Sequence, residues 1–106
     1  MILVSKENFR KYLKENGFKE FSEAGNETTI HNYIYYIEQV MEREHIETWS
    51  ELTEHIQLLL RKYGEYGEMK QFGQKAHSTV INALKRFMEY LLNECSFIPK
   101  TGIYFN

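Results

Sequence analysis

Apolar residues recur every three or four positions along four stretches of the chain, and polar or glycine-containing stretches separate them. This spacing places apolar side chains on one face of an α-helix. The pattern predicts helices over about 6–16, 27–44, 49–63 and 74–93. The last stretch is the clearest, and its apolar face is formed by Val80, Leu84, Phe87, Met88 and Leu91.

Start and stop signals agree with these helices. Ser5 and Asn26 are suitable N-caps for the first two, because their side chains can accept a hydrogen bond from a free backbone N–H. Thr48 and Glu51 match a capping box at the start of the third. Glycines 64, 67 and 73 predict a loop over 64–74 before the fourth helix.

The predicted fold is all-α. We expect residues 1–106 to form a single domain, a four-helix bundle of orthogonal or up-and-down topology, with Trp49 and Leu84 buried in one core. His77 falls on the apolar side of the last helix, which predicts a partly buried structural histidine. The tail over 95–106 is predicted to be extended and packed, since leaving its apolar residues in water is unfavourable.

Composition and charge narrow the class of protein. No apolar run is long enough to span a bilayer, no secretory signal is visible, and one cysteine cannot form an internal disulfide. We therefore expect a cytoplasmic protein without membrane association. Residues 1–19 and 69–106 each carry five basic and two acidic side chains, whereas 20–68 carry three basic and eleven acidic ones. This distribution allows a basic and an acidic surface with different partners.

No catalytic or metal-binding constellation can be identified. The four histidines lack the spacing of a ligand pair, one cysteine cannot assemble a thiolate zinc site, and the glycines between 64 and 73 do not form a phosphate-binding loop. Glutamates along helices favour a solvated face. We therefore expect no enzymatic activity, no cofactor and no metal.

The polar face of the last helix is the best candidate for function. Lysine and arginine neutralise phosphates, hydroxyls bind them, and asparagine can read a base edge. Helical geometry groups the following side chains on this face, opposite Leu84: Lys75, Ser78, Thr79, Asn82, Lys85 and Arg86. The alternative interpretation of the same pattern is an ordinary solvated surface. The second helix presents a related mixture on its outer face: Thr28, His31, Asn32, Tyr35 and Gln39.

Three motifs resemble the N-terminal core-binding, SAM-like domain of phage integrases and other tyrosine recombinases. The first helix contains Phe9-Arg10-Lys11-Tyr12-Leu13, and the second opens with Thr29-Ile30-His31-Asn32-Tyr33. The last helix combines Ser78-Thr79 with Leu84, Phe87 and Tyr90-Leu91. The similarity extends over about residues 6–93. The recombinase catalytic half, with its Arg, His-x-x-Arg and Tyr nucleophile, has no counterpart.

The resemblance implies a helical module of DNA recombination in a mobile element, without strand-transfer chemistry. In that family the second and fourth helices face double-stranded DNA, which implies the following DNA-binding residues: Thr28, His31, Asn32, Lys75, Ser78, Asn82, Lys85 and Arg86. The acidic segment 20–68 supports a different function. A small protein-binding module or inhibitor could use these acidic middle helices to occupy a basic groove of a protein partner.

Overall fold

The computed structural model describes residues 4–19 and 29–95 of the chain. These residues contain five helices: α1 (Lys6–Glu15), α2 (Thr29–Arg43), α3 (Trp49–Lys62), α4 (Lys70–Gly73) and α5 (Lys75–Glu94). Helix accounts for 76% of them and no strand occurs among them, which confirms the all-α class. The predicted extended tail beyond Cys95 lies outside the described residues, as does the proposed cap Asn26.

Side-chain caps fix the beginnings of α1 and α3. The Ser5 hydroxyl accepts a hydrogen bond of 3.1 Å from the backbone N–H of Asn8, and the Thr48 hydroxyl accepts one of 3.0 Å from Glu51. Both predicted caps are therefore confirmed. The Glu51 carboxylate completes the start of α3 by accepting from the backbone N–H of Glu47, at 2.8 Å. This is one residue before the cap, where a capping box would use the cap itself.

Helix α5 lies at the centre of the packing and contacts all four other helices. Its buried residues are Val80, Ile81, Ala83, Leu84, Phe87, Met88, Tyr90 and Leu91. Phe87 packs edge-on against Phe9 of α1 and Trp49 of α3, at ring-centroid distances of 5.4 and 5.6 Å. Leu84 is fully buried as predicted, but Trp49 is only half-buried because it covers the edge of this aromatic cluster.

Helices α2 and α5 run in opposite directions. Tyr33, near the beginning of α2, interacts with Arg86 in the second half of α5. At the other end of α2, the Arg43 guanidinium lies 3.9 Å from the ring centroid of Phe72, three residues before α5 begins. The polar flanks of this antiparallel pair therefore lie side by side on one surface.

The prediction of a loop over 64–74 was wrong at its end, where α4 forms. Phe72 packs against the Tyr63 ring at 6.0 Å, and Gly73 is buried. A Cβ on Gly73 would collide with the backbone carbonyl of Tyr63, so glycine permits this close approach. A helix of four residues shows no hydrophobic period, and its formation depends on these tertiary contacts.

No helix among the described residues is both long enough and apolar enough to cross a membrane.

Candidate nucleic-acid interface

A left-handed turn interrupts the start of α5. Ala76, His77 and Ser78 have φ values of 56°, 58° and 67°, and the regular helix begins at Thr79, whose hydroxyl donates to the Ala76 carbonyl. A left-handed conformation costs L-residues about 1–2 kcal/mol each. The prediction of a continuous helix from 74 was therefore wrong, and Lys75 is out of phase with the face that follows.

The turn also changes the predicted position of His77. A continuous helix would have placed this side chain on the apolar side, but His77 is exposed and Ser78 is half-buried. The prediction of a partly buried structural histidine was therefore wrong. The physical reason is that three left-handed residues rotate the side chains before Thr79 away from the directions that 100° steps assign.

An aromatic ring brings two cations together where α2, α4 and α5 meet. The Phe72 ring has the Arg43 guanidinium 3.9 Å from its centroid and the Lys75 ammonium 5.5 Å from it. Both distances are within the range of cation–π attraction. Arg43 and Lys75 are themselves exposed, so the ring fixes the side-chain stems while the charges stay in contact with solvent. Sequence reasoning did not identify Arg43 or Phe72 as part of a site.

Arg86 forms a cross-link within the fold. Its guanidinium pairs with Glu89 at 2.7 Å and lies 5.2 Å from the centroid of the Phe18 ring. The bond to Glu89, together with a hydrogen bond to Tyr33, raises the pKa of Arg86 further above its ordinary value. Arg86 therefore joins α5 to α2 and to the segment after α1. Its side chain is 42% exposed, and the predicted contact of Arg86 with DNA stays a prediction.

The polar network continues towards the end of α5. The Tyr12 hydroxyl of α1 donates to Glu89 at 3.0 Å and accepts from Asn93 at 3.1 Å. Burial is the largest cause that raises the pKa of Tyr12. Helix α1 thus contacts the last turns of the polar face through Tyr12. Asn82 and Lys85, earlier on the same helix, are half-exposed.

The predicted residues of α2 lie on two different flanks. His31 and Glu38 are seven residues apart and share one flank, where Glu38 pairs with Lys6 of α1 at 3.2 Å. Asn32 is exposed on the opposite flank, which it shares with three residues at helical spacing: Tyr36, Gln39 and Arg43. Thr28 lies outside the described residues. The structure therefore brings Asn32 towards α5 and separates it from His31.

We name the surface between these flanks the α2–α5 groove. Its members are Asn32, Tyr36, Gln39 and Arg43 from α2, and Phe72, Lys75, Thr79, Asn82 and Arg86 from α4 and α5. Lys85 borders it beside Asn82. Glu89 is the acidic side chain at the far end of this surface, where it pairs with Arg86 at 2.7 Å, and Glu38 lies on the other flank. Among the described residues, neither Lys75 nor Lys85 takes part in an ion pair.

Glu44 links the end of α2 to the end of α3 through hydrogen bonds. Its carboxylate accepts hydrogen bonds from the Lys62 ammonium at 3.0 Å and from the Tyr63 hydroxyl at 2.8 Å. Burial alone would raise the pKa of Glu44, but these two hydrogen bonds outweigh it and hold the pKa below its ordinary value. The same ring of Tyr63 supports Phe72, so this contact helps to position the cations on the Phe72 ring.

We expect Glu44→Gln to lower the free energy of unfolding by about 1–2 kcal/mol at pH 7, since hydrogen bonds to a charged, partly exposed group are lost. A lowered folded-state pKa gives stability that is present above the unfolded pKa and is lost as pH falls through the folded one. The difference between the two proteins should therefore shrink below about pH 4. Urea unfolding across a pH series measures this, with the exposed Glu42→Gln as control. A difference that is independent of pH would contradict this electrostatic role.

The described residues contain no group of three or more histidine, cysteine or glutamate side chains that could hold a metal ion. His31, His45, His55 and His77 lie on different elements or loops.

The fold and the groove define a small helical protein with a basic, amide-rich groove. Comparison of the chain with protein-family models, curated proteins and solved structures found no match.

Proposed function

We propose that the protein is a DNA-binding helical module that contacts duplex DNA through the α2–α5 groove. The observation that carries this proposal is the pair of exposed cations, Arg43 and Lys75, that the Phe72 ring holds next to each other. The sequence resemblance to recombinase core-binding domains also points to these two helices. On this proposal, α1, α2, α3 and α5 correspond to the four helices of a SAM-like domain, and α4 is an addition.

The groove residues divide into two roles. Arg43, Lys75 and Lys85 contact phosphates, because their charges are accessible and phosphate contacts dominate DNA affinity. Asn32, Gln39 and Asn82 present amides, which can donate to and accept from base edges. Arg86 acts indirectly by holding α5 against α2. The module has no catalytic role in this proposal, and its activity is to position a protein on duplex DNA.

The salt dependence of DNA affinity tests this assignment. Each released phosphate contact contributes about 0.9 to the slope of log affinity against log salt concentration. We expect Lys75→Gln/Lys85→Gln to reduce this slope by about 2 while the helical content stays unchanged. Fluorescence anisotropy with a labelled duplex of about 20–30 base pairs, from low to physiological salt, measures the slope.

Arg61→Gln is the matched control, because Arg61 is exposed on α3 outside the groove. It removes one positive charge and should leave the slope within error of the unaltered protein. No detectable binding at low salt would contradict the proposal. A slope that does not change in the double variant would move the interface away from the groove.

A protein-binding function is the second candidate, and one observation favours it. Leu58 of α3 is 53% exposed, one helical turn after the exposed Glu54. An exposed leucine beside a carboxylate suits a partner with an apolar pocket and a basic side chain at its edge. Glu38 and Glu51 are unsuitable for testing this, because Glu38 pairs with Lys6 and Glu51 caps α3.

Leu58→Ser/Glu54→Lys is therefore the appropriate variant for the second candidate. It should weaken a complex that uses α3 and leave duplex-DNA affinity no lower than before. Loss of DNA affinity in this variant would instead assign the DNA interface to α3.

A further inference from the structure

Residues 76–78 form a strained segment between two anchored helices. Ala76, His77 and Ser78 have φ values between 56° and 67°, although none of them is glycine. Left-handed conformations are unfavourable for L-residues and normally occur singly. Ala76 and His77 are exposed, so their own side chains gain no burial that could offset the strain. Strain of this kind persists only when the surrounding structure imposes it.

Contacts on both sides impose the turn. On the side of α4, Gly73 is buried against the backbone carbonyl of Tyr63. On the side of α5, Val80 is fully buried in the core. Between them the turn closes on itself, because the Ser78 N–H donates to the Gln74 carbonyl at 2.9 Å. A continuous right-handed helix through this segment would change the direction of α4 relative to α5, so the two contacts require the left-handed turn.

The two anchoring helices differ in how firmly they are held. Helix α5 buries eight residues along its length, whereas the four-residue helix α4 buries only Gly73 and has Phe72 and Met69 partly buried. Elements with few buried contacts open first. Helix α4 should therefore detach while α5 stays in the core. Once α4 has detached, residues 76–78 are free to adopt the right-handed conformation that L-residues favour.

We propose that residues 70–78 are a two-state switch that controls the α2–α5 groove. In the docked state, α4 packs on Tyr63 and the Phe72 ring holds Arg43 and Lys75 next to each other. In the released state, α4 leaves Tyr63, the left-handed turn becomes right-handed, and α5 extends through α4 as one helix.

The released state separates the two cations of the groove. The Phe72 ring moves away from Arg43 when α4 leaves Tyr63. Lys75 turns to the side of Asn82, because residues seven apart on a continuous helix share a face. The groove is therefore organised for DNA only in the docked state. This effect on DNA rests on the proposed function, whereas the conformational change does not depend on it.

Gly73→Ala tests the docking of α4, because a Cβ at this position collides with the Tyr63 carbonyl. Positive φ brings the amide and α protons of one residue closer together, so residues 76–78 each give a strong intraresidue NOE in the docked state. We expect these NOEs to weaken in the full chain carrying Gly73→Ala, without a loss of helix by circular dichroism. Gln71→Ala, exposed on the same helix, is the control and should keep them.

Two substitutions of the exposed His77 should shift the same equilibrium in opposite directions. Valine is β-branched and strongly unfavourable at positive φ, so His77→Val favours the released state. Glycine adopts the left-handed conformation readily, so His77→Gly favours the docked state. Both variants should fold, because this side chain is exposed. Strong intraresidue NOEs at Ala76 and Ser78 in both Gly73→Ala and His77→Val would overturn the switch.

The affinity for duplex DNA tests control of the groove. We expect Gly73→Ala and His77→Val to bind a labelled duplex about 5- to 30-fold more weakly than His77→Gly, since two cations lose the ring that holds them. Equal affinity of the three variants would overturn the control of the groove. If the unaltered protein binds no DNA, the proposed function fails, and the NOE measurement, which needs no DNA, still decides whether the switch exists.

Discussion

Phe87→Ala is expected to reduce the free energy of unfolding by about 3–5 kcal/mol, the usual loss for a large buried aromatic residue and its cavity. Phe87 is fully buried and its ring contacts those of Phe9, Trp49 and Tyr90 at 5.4–5.8 Å. The substitution therefore opens a cavity where α1, α3 and α5 meet. Urea unfolding followed by circular dichroism measures the change.

Leu58→Ala is the control for this measurement, because Leu58 is half-exposed on α3 and its loss should change stability by less than about 1 kcal/mol. A loss below about 1 kcal/mol for Phe87→Ala would mean that the aromatic cluster is not the centre of the core. The orientation of α5, and with it the α2–α5 groove, would then be wrong as well.

Replacing Ala76, His77 and Ser78 together by glycine is expected to raise the free energy of unfolding by about 1.5–3 kcal/mol. Glycine relieves a left-handed strain of about 1–2 kcal/mol per residue. It also loses more backbone entropy on folding than other residues, which removes about 0.5–1 kcal/mol of that gain at each position. Thermal and urea unfolding of the triple variant measure the net effect.

Glu54→Gly is the matched control for this variant. Glu54 is exposed within regular α3, where glycine should cost about 1 kcal/mol relative to a good helix former. A loss of about 3 kcal/mol in the triple variant would show that residues 76–78 form a right-handed helix. Lys75 would then return to the face of Asn82 and Lys85 that a continuous helix predicts.

The main helices could be predicted from the sequence because their apolar faces are long enough to repeat. Helix α1 ends one residue before the predicted boundary, α2 lies within its predicted range, and α3 ends one residue early. The caps Ser5 and Thr48 were predictable because a hydroxyl directly before an amphipathic stretch has a specific local role. These features depend on neighbouring residues in the sequence.

The left-handed turn at the start of α5 and helix α4 could not be predicted from the sequence pattern. Ala76, His77 and Ser78 are compatible with a right-handed helix, and no glycine stands at these three positions to mark the left-handed turn. Helix α4 depends on Phe72 packing against Tyr63, nine residues earlier at the C-terminal end of α3. For α4 the deciding contact is tertiary, and helical period and propensity contain no information about it.

Residues of the candidate site could be predicted only where the helical period alone determines that a side chain is exposed. Asn82 and Lys85 remain on the outer face of α5, and Asn32 is exposed on α2. The period gives the direction of Arg86 but not its neighbours, so its contacts with Glu89, Phe18 and Tyr33 were missed. Arg43 had a usable signal, because it lies eleven residues after Asn32 and therefore on the same flank of α2.

The most direct test of DNA binding through the α2–α5 groove is an NMR titration of the ¹⁵N-labelled protein with duplex DNA. The proposed function predicts that the side-chain amides of Asn32, Gln39 and Asn82 shift first. The chemical shifts of the Glu54 and Leu58 backbone amides on α3 should not change. Shifts confined to α3, or no shift at low salt, would contradict the assignment of the groove as the DNA interface.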